Sequence, residues 1–175
     1  FYEDIDARRK GVKDYRSAAR DVAKLLADMK VQKVDSLLID LRNNGGGSLA
    51  EAVELTGQFV GKGPVVQVRN ARGGITVEKN ARTEPAWSGP VGVMINRASA
   101  SASEIFAAAI QDYGRGLVIG EPSFGKGTVQ TVASLDQIAR GRQCKISRAF
   151  WTKANANLTR RAVCCIQPHQ RMRRI

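Results

Sequence analysis

Apolar and polar residues alternate with two different periods along this chain. From Asp14 onward, Ala18, Val22, Leu25, Leu26 and Met29 recur at helical spacing among Arg, Lys and Asp, which predicts an amphipathic helix resting one face on a core. Residues 1–13 are polar and charged and read as an approach segment. The pattern then shortens. Ser36 to Leu41, Val91 to Ile95 and Leu117 to Ile119 are brief apolar runs bounded by turn residues, the signature of buried strands. Val65 to Val68 and Thr76 to Val77 flank Ala71-Arg-Gly-Gly74 and predict a hairpin. Val129 to Leu135 and Cys144 to Trp151 read as two further strands. An Ala-rich stretch with apolar positions at Ile105, Ala109 and Ile110 reads as a helix, as does the segment that opens with Ser48-Leu-Ala-Glu51. The order helix, strand, helix, hairpin, strand, helix, strand, strand predicts an α/β fold with helices packed on a mixed sheet.

Length and charge narrow the picture. A chain of 175 residues with 43% apolar content suits one domain with a real core. No run of 18 or more apolar residues exists, so no membrane-spanning helix is expected. Phe1 is not an initiator methionine and carries no signal-peptide pattern, so the chain reads as a segment of a longer protein with any targeting sequence upstream. The net charge of +12 raises the question of nucleic acid, but ten Lys or Arg and no Asp or Glu fall between Arg140 and Ile175. The remainder is nearly balanced, and a nucleic-acid groove would spread its basic residues over the folded face with aromatics to stack on. No nucleic-acid partner is expected. Cys144, Cys164 and Cys165 make neither a disulfide framework nor, with His169, a zinc spacing. No metal and no cofactor are expected.

Candidate chemistry concentrates between Asn96 and Gln130. The apolar run to Ile95 leads through small polar residues into the Ala-rich helix, with Ser101 at its entrance and Glu104 three residues on. That spacing is a capping box, and Ser101 read by itself can be no more than a cap. A strand-to-helix turn, however, lifts a side chain to a sheet edge beside free helix amides, where an oxyanion would form. A serine nucleophile needs a base. The one histidine, His169, lies in a segment without periodicity, so a Ser-His-Asp triad is not expected. A lysine serves only when neutral, which demands an apolar, partly desolvated pocket. Lys126, between Gly125 and Gly127 and flanked by Phe124 and Val129, fits, although it also reads as a turn lysine. Asp40-Leu-Arg-Asn-Asn-Gly-Gly-Gly-Ser48 adds a glycine turn that brings backbone N–H groups close to a ligand; it lacks both phosphate-binding glycine patterns.

Ser99-Ala-Ser-Ala-Ser-Glu-Ile105, Gly120-Glu-Pro-Ser-Phe-Gly-Lys-Gly-Thr-Val-Gln130 and the Asp-Leu-Arg-x-Asn-Gly-Gly-Gly run together resemble the carboxy-terminal processing peptidases, also called tail-specific proteases. The resemblance implies a serine endopeptidase with Ser101 as nucleophile and Lys126 as general base. Gln130 would orient the lysine, Asp112 would support it, and the amides of Gly47 and Ala102 would form the oxyanion hole. Contact between Lys126 and Gln130 requires a bend, since residues four apart on a straight strand stand about 13 Å apart. It further implies a β-β-α layered core of the ClpP/crotonase-like kind over residues 1–151, with 152–175 an atypical basic tail that lacks the family's glycine-rich turn and Pro-Asp. Protein or peptide substrates with unstructured carboxy-termini, a PDZ domain elsewhere in the full-length protein and a periplasmic or extracytoplasmic location are implied as well. The rival expectation is a non-catalytic remnant that binds peptides or polyanions.

Overall fold

The computed structural model describes residues 1–134 and 143–153; the basic tail beyond Lys153, with Cys164, Cys165 and His169, and also Leu135 lie outside them. In chain order the elements are helix α1 (Ile5–Arg9), helix α2 (Ala18–Val31), strand β1 (Leu37–Asp40), helix α3 (Leu49–Val60), strands β2 (Gly63–Asn70), β3 (Ile75–Asn80) and β4 (Val91–Ile95), helix α4 (Ala102–Asp112), and strands β5 (Leu117–Gly120), β6 (Thr128–Ser134) and β7 (Gln143–Lys153). The strands form two sheets. One is parallel, in the order β1-β4-β5, and the other antiparallel, in the order β3-β2-β7-β6. The α/β class holds, with the parallel and antiparallel pairings of the mixed architecture divided between separate sheets.

Helices α3 and α4 join the sheets. Residues 102–110 of α4 are buried without exception, as a helix enclosed on all sides must be. Its Phe106, Ala107 and Ile110 pack with Val91, Val93 and Ile95 of β4, Val118 of β5, Leu55 and Phe59 of α3 and Ala19 and Leu26 of α2. Its Ala102, Ile105 and Ala109 pack with Val65 and Val66 of β2, Ala52 of α3 and Trp151 of β7. Phe106 meets Phe59 edge to face, with centroids 5.6 Å apart, an arrangement worth about 0.5–1.5 kcal/mol beyond burial. The alanines let α4 approach both layers, which explains why its sequence shows only a faint apolar stripe.

Two expectations change. The approach segment contains α1, capped by Asp4, whose carboxylate accepts from Ala7 N at 2.9 Å. At the start of α3 the box is only half made. Ser48 Oγ accepts from Glu51 N at 3.3 Å, but Glu51 turns away and its Oε2 accepts from Ser17 Oγ at 2.9 Å and Ala19 N at 2.7 Å. The carboxylate therefore ties the first turn of α3 to that of α2. Ser48 N donates instead to Phe1 O at 2.9 Å.

Candidate active site

The turn between β4 and α4 is set by Asn96 and Ser99. Asn96 N donates to Ser99 Oγ at 3.0 Å, and Ser99 Oγ donates to Leu41 O at 2.7 Å, which anchors the turn to the end of β1. The chain then enters α4 through Ser101 at φ 58° and ψ −116°. A non-glycine residue held there costs on the order of 1–3 kcal/mol and persists only when its surroundings fix it. Glu104 supplies part of that constraint, its Oε2 accepting from Ser101 N at 2.8 Å. Ser101 and Glu104 form the capping box that the spacing predicts. Ser101 thus stands on a strained strand-to-helix turn, the form that a nucleophile elbow takes.

The glycine turn packs directly against this serine. Asn44 joins the two: its carbonyl accepts from Ala100 N at 3.0 Å, and its Oδ1 accepts from Gly46 N at 3.0 Å and from Ser103 Oγ at 2.9 Å. A Cβ on Gly46 would stand 2.9 Å from Ser101 Cβ and 2.8 Å from Ala102 N, so no other residue fits. The Gly46 N–H is thus committed to Asn44. The amides of Gly47 and Ala102 donate to no acceptor among the described residues, and both residues line the same cavity as Ser101.

Lys126 lines that cavity too. Gly125, at φ 87°, turns the chain after Phe124, and Lys126 follows, half-buried. Its N–H donates to Glu104 Oε2 at 3.0 Å, and its carbonyl accepts from Trp151 Nε1 at 2.7 Å. Glu104 is fully buried and also accepts at Oε1 from Ser123 Oγ at 2.6 Å and Gly125 N at 2.7 Å. The cavity measures about 650 Å³ and has apolar walls from Ile5, Leu49, Ile105, Val129 and Trp151. Ser101 and Lys126 both line it. A depression of about 660 Å³ beside α3 and β3 contains no serine, cysteine or histidine.

Gln130 also lines the cavity, from β6. A register irregularity between Val129 and Gln130, together with the turn at Gly125, bends the segment that joins it to Lys126. Its amide donates to Ser147 Oγ at 3.5 Å and makes no hydrogen bond to Lys126. Asp112 is separated from the site. It is the last residue of α4 whereas Ser101 caps the first, which places them about 16 Å apart along the axis, and Asp112 is not a wall of the cavity. Ser101, Lys126, Gln130, Gly47 and Ala102 come together; Asp112 does not. Glu104, Asn44 and Ser103 were missed as site residues. The Ser-x-x-Glu spacing was the visible signal for Glu104, and local pattern reads it only as a cap.

Ser48, on the cavity wall, touches a shifted carboxyl. Glu3 accepts from Ser48 Oγ and forms an ion pair with Arg8. Burial pushes its pKa up, but the hydrogen bonds from Ser48 and Arg8 more than offset this and hold it below its ordinary value.

Fold and site define a class: an α/β protein that brings a serine hydroxyl, a lysine amine and two uncommitted amides onto one cavity. Residues 9–169 match the model of Peptidase family S41, and the chain belongs to that family. It is 54% identical over 124 residues to a tail-specific protease of Haemophilus influenzae, a match covering 71% of this chain and 18% of that protein. It is 38% identical over 119 residues to a carboxyl-terminal-processing protease of Picosynechococcus sp., covering 68% of this chain and 28% of that one. The solved photosystem II D1 C-terminal processing protease superposes with a TM-score of 0.71 at 29% identity, over 86% of this chain and 38% of that one. The chain therefore spans only a fraction of the length of these relatives.

Proposed function

We propose that this chain is the catalytic core of a serine endopeptidase that works by a Ser-Lys dyad. The observation that carries the reading is the shared cavity of Ser101, Lys126 and the amides of Gly47 and Ala102. Ser101 Oγ attacks the scissile carbonyl carbon as its proton passes to neutral Lys126 Nζ, and the oxyanion forms against the two amides. Lys126 then returns the proton to the departing amine, leaving an acyl-enzyme that water hydrolyses by the same route. Gln130 acts, in this reading, as a polar neighbour that orients the lysine; Asp112, at the far end of α4, is given no contact with the reacting atoms.

The substrate is an extended chain. Among the described residues strand β6 is an edge of its sheet, paired only with β7, and its residues Thr128 to Gln130 line the cavity. A free edge takes up a peptide by strand addition, which an unstructured or carboxy-terminal segment can supply and a folded one cannot. The apolar walls favour an apolar side chain next to the cleaved bond. A PDZ domain elsewhere in the full-length protein and a periplasmic or extracytoplasmic setting complete the proposal; among the described residues no helix is long and apolar enough to cross a membrane.

Cleavage of an unstructured peptide by the parent, Ser101→Ala and Lys126→Ala chains tests it. Both substitutions are expected to lower kcat by about 10³-fold or more without unfolding the protein. Activity retained by Ser101→Ala overturns the proposal. Labelling of Ser101 by a serine-reactive probe separates it from a remnant that merely binds peptides or polyanions.

A further inference from the structure

Most of the contacts around the dyad serve one side chain each, but Glu104 serves both. Its carboxylate is 0% exposed and accepts four hydrogen bonds, from Ser101 N, Lys126 N, Gly125 N and Ser123 Oγ. One oxygen, Oε2, takes the amides of both proposed catalytic residues, at 2.8 and 3.0 Å. Their two nitrogens therefore lie within about 6 Å of each other, the combined reach of the two bonds. The turns that carry them also meet where Phe124 N donates to Ser99 O at 3.0 Å, but no bond there reaches either residue: Ser101 belongs to the β4–α4 turn, and Lys126 to the turn before β6, in the other sheet. Carboxylate hydrogen bonds to backbone N–H groups are short and strong, and a residue at φ 58° relaxes unless it is held.

From this geometry we infer that Glu104 is a positioning residue, whose buried carboxylate fixes the backbone of the nucleophile's turn and that of the base's turn to one another. It touches no reacting atom. It acts through Ser101 and Lys126, so the inference rests on the dyad reading. Misplacing reacting groups by about 1 Å can cost 10²-fold in rate. Glu104→Gln keeps the shape and one carbonyl oxygen for the Ser101–Lys126 pair, while its NH2 replaces the oxygen that faces Gly125 N. Glu104→Leu offers no acceptor to any of the four.

The test is acylation of Ser101 by a fluorophosphonate probe in the full chain, with two readouts taken separately: the fraction of chains labelled at completion and the rate constant per labelled site. A positioning role predicts that Glu104→Gln labels the same fraction about 10-fold more slowly per site, with Glu104→Leu about 10²-fold or more slower. A role confined to folding predicts a smaller labelled fraction at the parent's rate per site, and that result overturns the inference. Glu104→Asp, which keeps the charge but withdraws it by one methylene, decides by the same per-site rate if the glutamine chain does not accumulate folded. Lys126→Ala run alongside tells the two failures apart. Parent-like rates in Glu104→Gln with none in Lys126→Ala sink only the role of Glu104, whereas parent-like rates in Lys126→Ala sink the dyad and this inference with it.

Discussion

Gly46 shows how tightly the glycine turn is fitted to the serine. It combines φ 101° with backbone and Ser101 Cβ atoms under 3 Å from any added methyl. Gly46→Ala therefore forces either the turn or Ser101 to move. The expected outcome is a loss of about 1–3 kcal/mol in stability and a fall of about 10²-fold in the rate of Ser101 acylation, read by denaturant titration and probe labelling. An unchanged labelling rate would show that the turn can yield without disturbing the nucleophile. The same fit bears on which glycine can serve as the proposed oxyanion donor. With the Gly46 N–H committed to Asn44 Oδ1, Gly47 is the glycine on the cavity wall with an amide to offer, a distinction that three consecutive glycines in the sequence do not carry.

Between elements, two carboxylates act as ties. Glu51 is 1% exposed and holds Ser17 Oγ and Ala19 N, so Glu51→Ala leaves two buried donors without an acceptor. The expected cost is about 2–4 kcal/mol, seen as a lower urea midpoint at unchanged m; a loss under about 0.5 kcal/mol would contradict the tie. Glu3 docks the segment carrying α1 on the start of α3 through Ser48. Its pKa is held below the ordinary value of 4.5, so its contribution is fully present above that pH and is lost as pH falls through the lowered folded value. Between pH 6 and pH 3 the parent should lose more stability than Glu3→Gln, and parallel losses would refute the docking. Elements whose pattern is local were legible: β4 matches its apolar run to the residue, and β5, α2 and α4 fall within a few residues. Helix α1 escaped because its five residues are too few to show a helical period. The true partner of Glu51 escaped because Ser17 is 34 positions away, and the division into two sheets because strand pairing is non-local. In the site, Ser101, Lys126 and the glycine turn were visible as motifs. What joins them, through Glu104 and Asn44, exists only once the two turns are folded against each other.

At the scale of the whole molecule, the chain corresponds to 18% of its Haemophilus influenzae relative and 38% of the solved D1 processing protease. Binding energy from remote parts of a substrate contributes to orientation at the reacting bond. The core by itself should thus be slow and poorly selective for chain ends. Joining it to the proposed PDZ domain should raise kcat/KM for peptides with a free carboxy-terminus more than for blocked ones; equal rates and equal preference would place recognition within residues 1–175. The central claim, that Lys126 activates Ser101, is tested most directly by the pH dependence of Ser101 acylation in the parent and in Lys126→Ala. Only a neutral amine accepts the proton, so the account predicts acylation that depends on pH in the parent and is lost in the variant. The same pH-dependent labelling of Ser101 in Lys126→Ala would contradict it.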